Sequence, residues 1–183
     1  PYVLPSRDLL VNEVELLVEG NKMDAMVLIG TCDKVVPGLL MAAARLDLPA
    51  VVVTGGYMQT GTYKGEKCDF INIGMTLSQV LEGTKSQEDL DGVIEHACPG
   101  PGACGMMGTA NSMNIIAETL GMSLPGNSTT AAVSEKLEDY AYRAGQQVMA
   151  LWRAGITARQ IITEASITNA IKVCMAVGGS SNT

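Results

Sequence analysis

Apolar positions along this chain fall into two kinds of run, and the alternation between them outlines a fold. Leu9, Leu10, Val14, Leu17 and Val18 recur at three- and four-residue steps, which places them on one face of a helix. Ser6 is the predicted N-cap, Asp8 suits the positive end, and Gly20-Asn21 closes the element. Ala25-Met26-Val27-Leu28-Ile29 is too short and too uniformly apolar for an amphipathic helix, and predicts a buried strand. A second helix runs through Leu39, Leu40, Met41, Ala43 and Leu46. Pro37 falls in its opening turn, where a missing N–H costs little, and Pro49 marks its exit. Ala50-Val51-Val52-Val53-Thr54 predicts another buried strand. Strand, helix and strand within about 30 residues make a βαβ unit, with parallel strands and a right-handed crossover.

Beyond Gly55-Gly56 a polar loop reaches to Cys68, and residues 70–73 predict a short strand. Ser86 caps an acidic helix containing Glu88, Asp89, Leu90, Val93 and Ile94. A Pro/Gly-rich loop follows, then a helix over 106–120 that ends at Gly121. Ser123-Leu124-Pro125-Gly126 is a turn, 130–154 a long helix, and a further helix follows Thr157 and ends near Val177. The fold class is α/β: a parallel sheet flanked by helices in three layers. The 183 residues suffice for one domain with a sizeable core.

Hydrophobic residues make up 47% of the chain, so it is neither disordered nor fibrous. No apolar run approaches a membrane span. A net charge of -7, with scattered lysines and arginines, opposes binding to nucleic acid. Five cysteines at irregular spacing do not form a disulfide framework, which points to a reducing compartment. The chain opens on Pro1 and closes on Gly-Gly-Ser-Ser-Asn-Thr; both ends read as cut, so a targeting segment is not legible.

The chemistry concentrates in two places. Cys32-Asp33-Lys34 sits at the carboxyl end of the first strand, the edge where open α/β sheets bind ligands. A thiolate and a carboxylate side by side suggest a metal site; an Asp33–Lys34 ion pair is the plainer alternative. Cys104, in Cys98-Pro99-Gly100-Pro101-Gly102-Ala103-Cys104-Gly105, opens a helix whose dipole favours thiolate. On that helix Gly108 and Asn111 share its face. The same segment formally matches G-x-G-x-x-G, but no strand precedes it and two prolines remove amides, so a nucleotide site is rejected. Residues 56–61 have a Walker A spacing with Thr62 where lysine is needed. Cys68, Cys98 and Cys174 read as weaker candidates: Cys174 as core, and Cys98 as a thiol that could serve as a ligand but is more often buried. His96, the one histidine, caps the end of its helix, and no nucleophile elbow accompanies it. Asn127-Ser128-Thr129 matches the glycosylation sequon.

These residues carry a resemblance. Cys32-Asp33-Lys34 with Val35-Val36-Pro37-Gly38-Leu39-Leu40-Met41-Ala42-Ala43 resembles the first signature of the dihydroxy-acid dehydratase and phosphogluconate dehydratase family. The segment from Cys98 to Met113 resembles its second, and Leu4-Pro5-Ser6-Arg7 and Gly178-Gly179-Ser180-Ser181-Asn182-Thr183 are similar to family segments. The resemblance implies a hydro-lyase that dehydrates a 2,3-dihydroxy acid to a 2-keto acid. It implies an iron–sulfur cluster (2Fe-2S or 4Fe-4S) with Cys32 and Cys104 among its ligands. It also implies Mg²⁺ held by Asp33 and by Lys34 as its carbamate, an oxygen donor suited to that ion. Residues 1–183 would be the central part of the N-terminal α/β cluster-binding domain of a two-domain enzyme. The third cluster cysteine, further magnesium carboxylates and the base serine would lie outside it, so the piece alone would be inactive. The full protein would be a cytoplasmic or organellar homodimer. The second signature looks more like the branched-chain amino-acid branch; a sugar-acid dehydratase, a non-catalytic metal-binding module and a thiol-redox domain are the alternatives.

Overall fold

The structure, a computed structural model, describes residues 2–183. Helix α1 (Val3–Gly20) leads into strand β1 (Met26–Gly30), helix α2 (Val35–Leu46) and strand β2 (Ala50–Thr54). The predicted βαβ unit is present, with β1 and β2 parallel in the register Met26–Ala50 to Gly30–Thr54. Side chains alternate across this pair and build two cores. Met26, Leu28, Ala50 and Val52 face α2, with Val18 of α1 and Met113 and Ala117 of α5 (Thr109–Thr119) behind it. Val51 and Val53 face the opposite side, against Ala144 and Val148 of α6 (Glu135–Ala154). Helix layer, parallel pair and helix layer are the expected three-layer α/β arrangement.

Several boundaries differ from expectation. Helix α1 starts at Val3, so Ser6 lies inside it, with its hydroxyl bonded to Val3 O instead of capping. The loop after β2 contains a hairpin, β3 (Gly61–Tyr63) and β4 (Glu66–Cys68). Its two connecting residues, Lys64 and Gly65, both have positive φ (49° and 84°), the backbone that suits a tight hairpin's twist. Residues 70–73, expected as a strand, open helix α3 (Phe70–Leu81). Asp69 accepts the Ile71 N–H, and Asn72 accepts the Asp69 N–H, so a reciprocal cap starts the helix.

Helix α4 (Gln87–His96) begins at the expected Ser86 cap. Lys64 on the hairpin turn reaches Asp89 on α4 at 2.7 Å, which fastens the two units together. Helix α6 starts at the Ser134 cap, later than expected, and ends at Gly155 in a left-handed conformation. The helix expected after Thr157 is two elements, α7 (Ala158–Ile161) and α8 (Glu164–Ala176). Thr163 interrupts it by capping α8 through the Ser166 N–H. No helix among the described residues is long and apolar enough to cross a membrane.

Candidate metal centre at the carboxyl ends of the strands

Strand β1 leaves the sheet through Thr31 into Cys32, whose φ of 90° is rare for a residue with a side chain. Holding such a backbone costs about 1–3 kcal/mol, and outliers of this kind cluster at functional sites. The first turn of α2 fixes it: the Val36 N–H bonds back to Cys32 O and the Gly38 N–H to Lys34 O. Asp33 therefore lies just before the N-terminal end of α2. The Cys32 thiol is exposed and lies 4.0 Å from Asp33 Oδ1. Lys34 does not pair with Asp33. Its Nζ donates to Asn182 O at 3.2 Å, and Asp33 has no ion-pair partner among the described residues. The plain ion-pair alternative for the triplet is not formed.

Strand β2 leaves through Gly55 and Gly56, and the next residues stitch Cys104 to this edge. Tyr57 bridges Ala103 on one side and Ala131 on the other. The Ala103 N–H donates to Gly56 O at 2.8 Å, and the Met58 N–H donates to Ala103 O at 2.7 Å. Gly102 makes that approach possible. Its φ is 127°, and a Cβ there would lie 2.6 Å from Met58 N.

Cys104 is not on a helix, contrary to expectation. Helix α5 starts at Thr109 with Gly108 as N-cap, so no helix dipole acts directly on Cys104. The loop Cys104–Gly108 is shaped instead by Asn111, whose Nδ2 donates to Cys104 O and to Met106 O, both at 2.7 Å. Asn111 does lie on Cys104's side, by reaching back from the helix rather than by sharing a helical face with it.

Two routes join the Cys32 and Cys104 segments. Gly55, whose N–H bonds to Gly30 O, packs against the Thr31 hydroxyl, and Gly56 holds Ala103. The second route is the C-terminal segment. Asn182, which accepts from Lys34, donates through Nδ2 to Thr109 Oγ1 at 3.3 Å. Ser180 N–H donates to Ser112 Oγ at 2.9 Å, and the Ser180 and Thr109 hydroxyls are 3.0 Å apart. Ser112, Ser180 and Asn182 had no chemical role in the sequence reading; their signal is a run of hydroxyl and amide side chains just after Gly178-Gly179.

The remaining candidates lie elsewhere. Cys68 is buried with Val93 and Ala97, and burial pushes its thiol pKa up, so it stays neutral. Cys98 is exposed, and Cys174 is half-buried rather than core, 3.7 Å from the Thr183 hydroxyl. His96 Nδ1 lies 2.8 Å from Gly92 O, which can only accept, so that nitrogen carries the proton and caps the helix as expected. Among the described residues no group of three or more His, Cys, Asp or Glu side chains is arranged to hold a metal ion.

Comparison with known proteins agrees with the signatures. The family model described as "Dihydroxy-acid/6-phosphogluconate dehydratase N-terminal" matches residues 1–183. The dihydroxy-acid dehydratase of Methanosphaera stadtmanae is 46% identical over 182 residues, covering 100% of this chain and 33% of that protein. Those of Methanobrevibacter smithii and Maridesulfovibrio salexigens are 45% and 43% identical with the same coverage. The chain thus spans about a third of the length of these curated relatives. The strained cysteine after β1, the glycine-shaped cysteine loop beside it and the match along the whole chain lead to one conclusion: this chain belongs to the dihydroxy-acid/6-phosphogluconate dehydratase family, in its N-terminal region.

Proposed function

We propose that this chain is the metal-binding part of a hydro-lyase that converts a 2,3-dihydroxy acid to a 2-keto acid, with a branched-chain dihydroxy acid as substrate. The observation that supports the reading is that the Cys32–Lys34 segment follows β1 and the Cys104 loop is bonded to the chain just after β2, both at the carboxyl edge of one parallel pair. The donor set suits the two metals the family implies. Cys32 and Cys104 are soft sulfur donors of the kind that hold iron–sulfur clusters, and Asp33 is a hard oxygen donor suited to Mg²⁺. Lys34 as a free amine would repel a cation, so its part in holding Mg²⁺ requires the carbamate. When bound, the cluster and Mg²⁺ supply Lewis acidity to the departing 3-hydroxyl and to the substrate carboxylate.

This chain's own residues hold and orient. The first turn of α2 keeps Cys32 in its strained conformation and sets Asp33 at the helix's positive end. Thr109, Ser180 and Asn182 tie the start of α5 to the Lys34 side chain. The catalytic base and the pocket that reads the substrate's carbon chain are assigned to the rest of the full-length protein.

The test uses that full-length protein, purified without oxygen. Expected are sulfide-to-iron absorption bands and turnover of dihydroxyisovalerate in preference to aldonates. Cys32→Ser abolishes the colour and Cys174→Ser keeps it. Equal colour in both variants would remove the ligand assignment, and preference for an aldonate would move the protein to the sugar-acid branch. A colourless, zinc-loaded protein would reduce it to a metal-binding module.

A further inference from the structure

We infer that Asn111 is the positioning residue for the Cys104 sulfur, with Asn114 locking its orientation; the inference rests on Cys104 being a cluster ligand. A thiolate ligand has to be held within about half an ångström of its productive position. Cys104 has no regular element to do this. The backbone before it is fixed at Ala103 by Gly56 and Met58. The backbone after it becomes regular only at Thr109. Between these anchors the loop has one backbone bond of its own, from the Gly108 N–H to Met106 O at 2.8 Å. Asn111 provides the rest. Both N–H bonds of its amide go to loop carbonyls, Cys104 O and Met106 O. Fixing the carbonyl of Cys104 fixes the plane from which its side chain departs.

The arrangement works with only one orientation of the Asn111 amide. Turned over, its oxygen would face two carbonyl oxygens and the loop would be pushed away. Asn114, one turn further along α5, sets that orientation: its Nδ2 lies 3.5 Å from Asn111 Oδ1. Asn114 is fully buried, and its own Oδ1 has no hydrogen-bond partner. An unpartnered buried amide oxygen is destabilising, a cost that an apolar side chain of similar volume would avoid. The amide contact with Asn111 is the one polar interaction its side chain makes among the described residues. Asn114 is thus a destabilising residue whose contact acts on the cysteine loop.

The experiment uses the full-length protein, loaded without oxygen from ferrous iron and sulfide. Asn111→Asp keeps the side chain's shape and removes both donors; Asn114→Leu removes the lock without touching the loop. The expected outcome for Asn111→Asp is shifted absorption bands and loss of colour in air about tenfold faster than the parent, the scale of lost support behind a metal ligand. Asn114→Leu bleaches faster than the parent while its unfolding midpoint is kept or raised, which a purely structural role would not produce. If Asn111→Asp fails to fold, Asn114→Leu decides alone. Parental bands and bleaching in the variants that fold overturn the inference. Cys104→Ser separates the two levels. If it loses the cluster while the asparagine variants behave as the parent, only the positioning role falls. If it keeps a full complement of iron and sulfide, the ligand assignment falls and the inference with it.

Discussion

Asn127 acts as a third strand compressed into one side chain. Its Oδ1 accepts from Thr54 N–H, the Thr54 hydroxyl and the Ser123 hydroxyl, and its Nδ2 donates to Thr54 O. The last residue of β2 is thereby satisfied just where the chain turns toward the Cys104 loop. Read as sequence, Asn127-Ser128-Thr129 is a glycosylation sequon; folded, Asn127 is 1% exposed and its amide nitrogen is occupied. Replacement by alanine leaves the Thr54 backbone groups unpartnered inside the protein, a loss of about 3 kcal/mol. Urea unfolding of the full-length protein checks it; an unchanged midpoint contradicts the role. Cys32 shows the same limit on what a residue name reveals. Its neighbours mark it as chemically unusual, but nothing in the letters Thr-Cys-Asp-Lys states that its backbone turns left-handed.

Elements were most legible where period and boundary residues agree. Strand β2 begins and ends where its apolar run does, and α4 begins at its Ser86 cap. The misreadings have physical causes. In 70–73, Phe70 and Ile71 stay about half exposed and only Thr76 of α3 is buried, so the apolar pattern does not report an inward face. The decisive signal was the Asp69–Asn72 pair, a local cap that outweighs the strand preference of Phe and Ile. The hairpin was hidden because each strand is three residues long. In the cysteine loop the glycines announced a close approach but not its partner, which is the Gly56–Met58 backbone far away in sequence. Gly102→Ala tests that approach. Strain of about 1–3 kcal/mol at its φ adds to the contact with Met58 N. The Ala103 and Met58 amides are expected to exchange with solvent markedly faster, and unchanged protection would refute the stitch.

At the scale of the molecule, the Cys32–Lys34 and Cys104 segments share one sheet edge, but among the described residues no group of three or more His, Cys, Asp or Glu side chains is arranged to hold a metal ion. The curated relatives it matches are about three times as long. The 183-residue chain expressed alone is therefore expected to turn over no dihydroxy acid under conditions where the full-length protein does; turnover by the short chain would contradict this. A groove of about 520 Å³ between α5 and α8, lined by Ile116, Ile167, Ile171 and Met175, is left uncovered. The parallel pair itself has a further consequence. Strand β2 has β1 on one side, and its Val52 N–H bonds to Met122 O, whereas β1 has a single strand neighbour among the described residues and Ile29 is 66% exposed. A bare strand margin recruits any extended backbone it encounters. Expressed alone, the polypeptide would stick to itself along that margin, so low-temperature, dilute preparation would govern how much monomer survives.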